Sequence, residues 1–192
     1  MTEPIRFDRY YRYDAITQFL QDWVKNYPTL CSLESIGITY EGRDIWLLTL
    51  TNSETGAPDE KPAYWVDANI HATEVSGSTA VLYLINRLLT QFGKEDKVTH
   101  ALNSRTFYAV PRLNYDGAEW ALADKPRFIR SSARPYPRTE QLDGLYQEDV
   151  DGDGRLLLMR IPDPNGAWKP HPDEPRLMIP RDPDEAPGGN FY

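Results

Sequence analysis

The sequence predicts an α/β fold, in which strands and helices alternate around one sheet. Residues 63–70 mix aromatic and β-branched side chains in a run too short for a helix, which is typical of a buried strand. Residues 75–92 carry apolar side chains at helical spacing, and residues 105–111 form a second short apolar run. This order predicts two parallel strands that are joined by a helical crossover.

The segments before the first strand predict a helix and a hairpin. Residues 14–27 carry apolar side chains at helical spacing, with Asp14 as the expected N-cap and Pro28 as the stop. Residues 33–40 and 44–51 are two strand-like runs separated by a short glycine-containing turn, which is typical of a β-hairpin. The sheet is therefore expected to be mixed.

The segments after the first strand are less regular. Residues 94–103 predict a short helix, and residues 112–117 a loop that leaves the second strand. Ten of the sixteen prolines lie between residues 135 and 187, a density that excludes long helices, and only residues 155–161 form a convincing strand there. We therefore place a boundary after residue 134, between an α/β domain (1–134) and a truncated, loop-rich insertion (135–192).

Composition limits the function classes. The chain has 192 residues and a net charge of −8, with the acidity concentrated in the tail. Nothing in the sequence resembles a basic stripe, so no nucleic-acid partner is expected. Its first residues lack the apolar core of a signal peptide, and no apolar run approaches a membrane span, so cytoplasm is the default location and no membrane partner is expected. Cys31 is the single cysteine and is expected to be a buried, inert thiol.

His71 and Glu74 stand where the predicted strand gives way to the helix. Ligands of open α/β sheets bind beyond the carboxyl ends of the strands, and residues three apart on a turn entering a helix can point the same way. Imidazole nitrogen and carboxylate oxygen are both zinc ligands. The geometry of the pair suits a metal, but from the spacing alone a helix-capping carboxylate beside a solvated histidine is the commoner arrangement.

The strand, the His-x-x-Glu pair and the helix together resemble the zinc carboxypeptidase family of the carboxypeptidase A and B type. The hairpin sequence YEGRDIWLLTL is similar to an early pair of strands in that family, and residues 114–117 resemble its Asn-Pro-Asp-Gly turn with Tyr115 at the proline. The resemblance implies a three-layer sandwich around a mixed sheet. It also implies that His71 and Glu74 are two of the three protein ligands of one catalytic zinc.

The segment from Arg127 to Arg130 resembles the family segment in which two arginines three apart follow that turn. By this resemblance Arg130 would stabilise the oxyanion that develops when zinc-activated water attacks a peptide carbonyl, and Arg127 would lie beside it in the substrate groove. The implied substrates are the C-termini of peptides or proteins.

The acidic tail contains part of a calcium-loop pattern. Asp149, Asp151, Asp153 and Gly154 match the first half of an EF-hand loop, in which alternate carboxylates converge on one ion. The twelfth position is Arg160, where a glutamate is required. The segment is therefore a candidate calcium site completed from elsewhere, or a calcium-free turn.

Three parts of the family's catalytic apparatus are not found in the sequence: a third zinc ligand, a glutamate base and an Asn-Arg pair for the substrate carboxylate. We therefore expect the N-terminal part of a longer metallocarboxypeptidase, with a sheet that is incomplete on its C-terminal side and with little activity alone. Two alternatives are an aspartoacylase-like zinc deacylase and a non-catalytic peptide-binding pseudoenzyme.

Overall fold

The structure of the protein is a computed structural model that describes residues 4–134 and 148–192. The chain divides into two compact units between Leu156 and Leu157. The boundary predicted after residue 134 adjoins residues 135–147, which lie outside the described residues.

The first unit contains four helices and four strands in its described residues, together with the 3-10 turns Ser53–Thr55 and Pro58–Glu60. The helices are α1 (Tyr13–Asn26), α2 (Ser76–Gln91), α3 (Asp96–Ser104) and α4 (Tyr115–Ala121). The strands are β1 (Cys31–Ile38), β2 (Asp44–Leu50), β3 (Ala63–Asp67) and β4 (Thr106–Val110).

The four strands form one mixed sheet in the order β1-β2-β4-β3. The hairpin strands β1 and β2 are antiparallel, β2 and β4 are antiparallel, and β3 is parallel to β4. The predicted α/β class, the mixed sheet, the hairpin and the parallel pair are therefore confirmed.

The hydrophobic core lies on the face of the sheet that the first three helices cover. Leu48 of β2 pairs with Ala109 of β4, and both side chains are buried in this core. The helices contribute most of the other buried apolar residues of this core, among them Ile16, Leu20, Leu82, Ile85, Leu89 and Leu102. Burial of such side chains is the main favourable term in folding.

Strand β3 is an edge strand rather than the buried strand predicted for residues 63–70. Tyr64 and Trp65 are about half exposed, and the strand ends at Asp67. Aromatic and β-branched residues predict that a segment forms a strand. Whether the strand is buried depends on its position in the sheet, and β3 is paired only with β4. The prediction of burial was therefore wrong for a reason that lies in the strand order.

The N-terminus of α1 is capped from a distant helix. Asp14 was predicted as the N-cap, but the helix begins at Tyr13 with Arg12 before it, and Asp14 lies in the first turn. The Tyr13 amide, one of the unpaired donors of a helix start, donates to a Glu119 carboxylate oxygen at 2.8 Å. Arg12 Nε donates to the other oxygen of Glu119 at 2.7 Å.

Residues 112–117 are not wholly a loop, because Tyr115 begins the helix α4. The Asn114 side chain accepts from the Gly117 amide at 2.9 Å and so caps this helix. Tyr115, at the position of the family's proline, is fully buried, and its ring meets Tyr13 edge to face. The residues that predict a turn at 114–117 instead form the start of α4.

The second unit contains a two-stranded antiparallel sheet, β5 (Trp168–Pro170) with β6 (Met178–Pro180). The strand predicted for residues 155–161 is wrong, because only Leu156 makes a bridge, to Arg127, and residues 157–161 have no regular structure. Leu158 and Met159 are exposed. In residues 148–192 Phe191 alone belongs to the buried hydrophobic residues.

Cys31 is buried at the start of β1. Burial raises the pKa of its thiol to about 12, because a thiolate is poorly solvated there. The expected buried thiol is confirmed. None of the helices in residues 4–134 and 148–192 has the length and apolar character needed to cross a bilayer.

A buried carboxylate joins the hairpin turn to α4. Asp116 is 3 % exposed, and its oxygens accept hydrogen bonds from the Thr39 hydroxyl (2.8 Å), the Glu41 amide (2.9 Å) and the Arg43 guanidinium (2.6 Å). A buried charge is tolerated when it is paired and hydrogen-bonded in this way. The turn of the hairpin therefore fixes the helix that follows β4.

We predict that Asp116→Asn lowers the free energy of unfolding by about 2–4 kcal/mol, because Arg43 loses the buried one of its two carboxylate partners and the new amide group faces one donor with another. The measurement is urea unfolding. Asp59→Asn, on an exposed turn, is the control and should change the value by less than about 0.5 kcal/mol. Equal effects of both substitutions would contradict the role given to Asp116.

Candidate zinc site

The site lies where β3 and β4 end, because parallel strands end at the same edge of a sheet. Backbone hydrogen bonds continue beyond the strands: the Ala68 amide donates to Val110, the Leu113 amide to Ala68, and the Asn114 amide to Asn69. The two chain segments that leave the strands are thus held side by side before either reaches its functional residues.

His71 and Glu74 converge on the turn that follows β3. His71 Nδ1 and Glu74 Oε2 are 2.9 Å apart, and both side chains are accessible to solvent. The contact with His71 is the chief cause that lowers the pKa of the Glu74 carboxyl, and a hydrogen bond from Arg130 adds to it. The proximity expected from the spacing is present, while metal ligation by the pair stays a prediction.

Arg130 joins the same pair from a third segment. Its Nη1 donates to Glu74 Oε1 at 3.1 Å, and its backbone carbonyl accepts from the Ala72 amide at 3.0 Å. Glu74 therefore lies between an imidazole and a guanidinium. Its side chain is 55 % exposed and that of Arg130 is 65 % exposed, so the pair faces solvent.

The donor set fits zinc in kind but not in number. One imidazole nitrogen and one carboxylate oxygen are the atoms that zinc takes, whereas a catalytic site uses three protein ligands. In the described parts of the chain, the only group of three metal-ligating side chains within reach of one ion is Asp149, Asp151 and Asp153. His71 and Glu74 supply two ligands of a site that needs another.

A cavity of about 520 Å³ adjoins His71. His71, Asn114 and Ser131 line one part of it, and Thr39 and Tyr40 of the hairpin turn line another. The site thus has a concave space beside the metal-ligating atoms, of a size that holds a small part of a peptide.

Comparison with known proteins decides the family. The model of the zinc carboxypeptidase family matches residues 16–156, which is most of the chain. The chain belongs to the zinc carboxypeptidase family.

Relatives within the family are much longer than this chain. Carboxypeptidase B of Astacus astacus is 30 % identical over 165 residues, which cover 86 % of this chain and 46 % of the relative. An inactive metallocarboxypeptidase of Talaromyces marneffei is 29 % identical over 154 residues, which cover 77 % of this chain and 26 % of the relative. The chain therefore spans less than half of either relative.

A solved structure agrees with this family membership. The crystal structure of thrombin activatable fibrinolysis inhibitor matches with a TM-score of 0.57 at 26 % identity, covering 64 % of this chain and 31 % of that chain. Carboxypeptidase A of Helicoverpa armigera matches with a TM-score of 0.56 at 23 % identity, covering 65 % of this chain and 30 % of that chain. The matched part therefore has an incomplete carboxypeptidase fold, as the resemblance implied.

Arg127 lies in a different cavity from His71. Its guanidinium stacks over the Trp120 ring at 5.1 Å, and its amide donates to the Trp120 carbonyl at 3.1 Å. Together with Arg12, Arg43 and two glutamates it lines a charged cavity of about 350 Å³. A place in the substrate groove stays a prediction for Arg127.

The acidic loop forms a compact turn. Ligand oxygens of Asp149, Asp151 and Asp153 lie within 4.8 Å of one another. The Gly154 amide donates to Asp149 at 2.7 Å, and this hydrogen bond is the chief cause that lowers the pKa of that carboxyl. At the twelfth position the Arg160 guanidinium donates to the Pro175 carbonyl at 2.8 Å. The three carboxylates thus converge, while the twelfth residue of the pattern in sequence is an arginine, and calcium binding stays a prediction.

Three further residues shape the site: Asn69, which the sequence analysis did not consider, and Asn114 and Gly117, which it placed only in a turn. Asn69 is buried with a left-handed backbone, φ 56°, and Asn114 bridges two segments. Gly117 lies so close to the turn that an added Cβ would stand 2.6 Å from the Ala72 Cβ. The turn pair at residues 116–117 was a visible signal, but it did not indicate this contact.

We predict that Gly117→Ala lowers the free energy of unfolding by about 1–3 kcal/mol, because the new methyl group overlaps with Ala72 and with the Asn114 carboxamide. The matched control is Gly77→Ala, also in a helix, where the new Cβ would meet Ala68 at 3.4 Å. That variant should range from no change to a gain of about 1 kcal/mol. Thermal or urea unfolding measures both, and a neutral Gly117→Ala would rule out the close approach.

Proposed function

We propose that this chain forms the His71 and Glu74 part of the zinc site of a metallocarboxypeptidase, which hydrolyses C-terminal peptide bonds. The observation that carries the proposal is the convergence of His71 Nδ1, Glu74 and the Arg130 guanidinium beyond the carboxyl ends of β3 and β4. The family membership makes zinc the metal to test first.

Zinc, when bound, supplies a Lewis acid that polarises a carbonyl and makes water a stronger nucleophile. The carboxyl of Glu74 has a lowered pKa and is ionised at neutral pH, so it offers its oxygens without first losing a proton. His71 offers Nδ1 on the same side. Arg130 places a permanent positive charge at this point, which suits it to stabilise a developing oxyanion.

The proposed substrates are the C-termini of peptides or proteins. The chain spans less than half of its relatives, and the proposed activity requires a third ligand, a base and groups that hold a substrate carboxylate in addition to His71, Glu74 and Arg130. A substrate-contacting role for Arg127, a cytoplasmic location and the absence of nucleic-acid partners stay predictions.

Two other functions use the same residues. An aspartoacylase-like deacylase would cleave N-acyl amino acids and leave blocked dipeptides intact. A peptide-binding pseudoenzyme would bind C-terminal peptides without cleaving them, and the inactive relative in Talaromyces marneffei shows that such a loss occurs among related proteins. Assays of both substrate types on the full product of the gene separate the three functions.

We predict that the 192-residue chain binds zinc, but with an affinity at least about tenfold below that of a complete three-ligand site. Competition with a fluorescent chelator measures the affinity. His71→Ala should abolish the binding, whereas His100→Ala, at an exposed histidine of α3, should leave it unchanged. Equal affinities of the chain and its His71→Ala variant would refute the proposed site.

The same chain should not hydrolyse blocked dipeptides, because no described residue stands ready as the base. Zinc-dependent turnover that is lost in His71→Ala would contradict this expectation and would show that the chain itself completes the site.

Calcium binding by Asp149, Asp151 and Asp153 stays a prediction that is separable from zinc. If the loop takes calcium, terbium luminescence should titrate with the chain and should be displaced by calcium, and Asp151→Asn should weaken it several-fold. His71→Ala should leave this signal unchanged. An absent terbium signal would identify the segment as a calcium-free turn.

A further inference from the structure

The turn that carries His71 and Glu74 lacks regular secondary structure, so its backbone carbonyls need partners from elsewhere. Two of them are bound by one buried side chain. Asn69 is 5 % exposed, and its Nδ2 donates to the carbonyls of His71 at 2.6 Å and Ala72 at 3.2 Å. The carboxamide of Asn69 therefore closes the turn from inside.

The orientation of the Asn69 carboxamide is fixed on its other side. Its Oδ1 accepts from the Ser78 hydroxyl at 3.3 Å, and the oxygen of Ser78 accepts from Arg112 Nε at 3.1 Å. All three side chains are buried. The amide nitrogen is thus directed at the turn by a chain of hydrogen bonds that begins at a buried cation.

Asn114 connects the same turn to the segment that carries Arg130. Its Nδ2 donates to the carbonyls of Ile70 at 3.3 Å and Ser131 at 2.5 Å, while its Oδ1 caps α4 at Gly117. Ile70 directly precedes His71, and Ser131 directly follows Arg130. One side chain therefore sets the spacing between two segments that lie far apart in the sequence.

We propose that Asn69 and Asn114 are positioning residues of the zinc site, which hold His71, Glu74 and Arg130 at their observed spacing through backbone carbonyls. Neither residue is proposed to touch zinc or substrate. The inference rests on the proposed function and adds the residues that prearrange the ligands. Removing these donors leaves a looser turn, and a metal must then order it at the cost of affinity.

Two variants remove the donors and preserve the local backbone. Asn69→Gly suits the left-handed conformation and deletes the carboxamide. Asn114→Asp keeps an oxygen to cap Gly117 and replaces the donating nitrogen with a second oxygen, which repels the carbonyls of Ile70 and Ser131.

A matched control exists at the other end of the sheet. Asn52 Oδ1 also caps a helical turn, by accepting from the Glu54 amide, and Asn52 Nδ2 donates to the side-chain oxygen Oδ1 of Asn103. Because Leu50 pairs with Phe107 near the start of β4, Asn52 lies far from the carboxyl end where the site is. Asn52→Asp therefore makes the same chemical change outside the site.

The first measurement is zinc affinity by chelator competition, and the second is amide hydrogen exchange of the metal-free chain. We expect Asn69→Gly and Asn114→Asp to weaken zinc binding at least tenfold, whereas Asn52→Asp leaves it within twofold. The Ala72 amide, which donates to Arg130, should exchange at least tenfold faster in both variants relative to amides of β2. In Asn114→Asp the Gly117 amide should keep its protection.

Each outcome decides a separate point. Unchanged zinc affinity in both variants, beside a wild-type chain that binds zinc through His71, overturns the positioning role and leaves the proposed function intact. A wild-type chain that binds zinc no better than its His71→Ala variant counts against the proposed function. In that case the exchange rate of the Ala72 amide decides whether Asn69 and Asn114 order the turn. An unchanged exchange rate in both variants overturns the inference.

Discussion

The parallel pairing of β3 with β4 is the constraint on which the site depends. It makes both strands end at one edge, and three backbone hydrogen bonds continue the pairing past that edge as far as Asn114. Parallel pairs need a crossover, so α2 starts directly after the functional turn and covers the core face with its apolar side. The parallel pairing that positions the site thus also places α2 over the hydrophobic core.

Features that depend on short stretches of sequence could be predicted. The hairpin, the crossover helix and the contact between His71 and Glu74 each depend on residues that are close together in the sequence. Local chemistry also misled in places. Asn-Tyr-Asp-Gly at residues 114–117 has turn residues and forms the start of a helix, and in the strand predicted for residues 155–161 only Leu156 makes a bridge.

Features that join distant segments could not be predicted from one sequence. Glu119 caps a helix 106 residues earlier, and Asn114 binds a carbonyl 44 residues earlier. Both side chains bind backbone atoms. Every residue has such atoms, so the residue types at positions 13 and 70 give no indication of these contacts. The exposure of Tyr64 and Trp65 likewise depends on strand order, which local composition does not encode.

The contact between Arg130 and Glu74 has a further consequence because both side chains face solvent. Water and dissolved ions screen such a pair, so rising ionic strength weakens the attraction between the guanidinium and the carboxylate. The backbone of residues 71–72 is held by hydrogen bonds from the buried Asn69 carboxamide, which salt screens much less. The backbone of the site is therefore held by buried hydrogen bonds, whereas the ion pair above it is exposed and sensitive to salt.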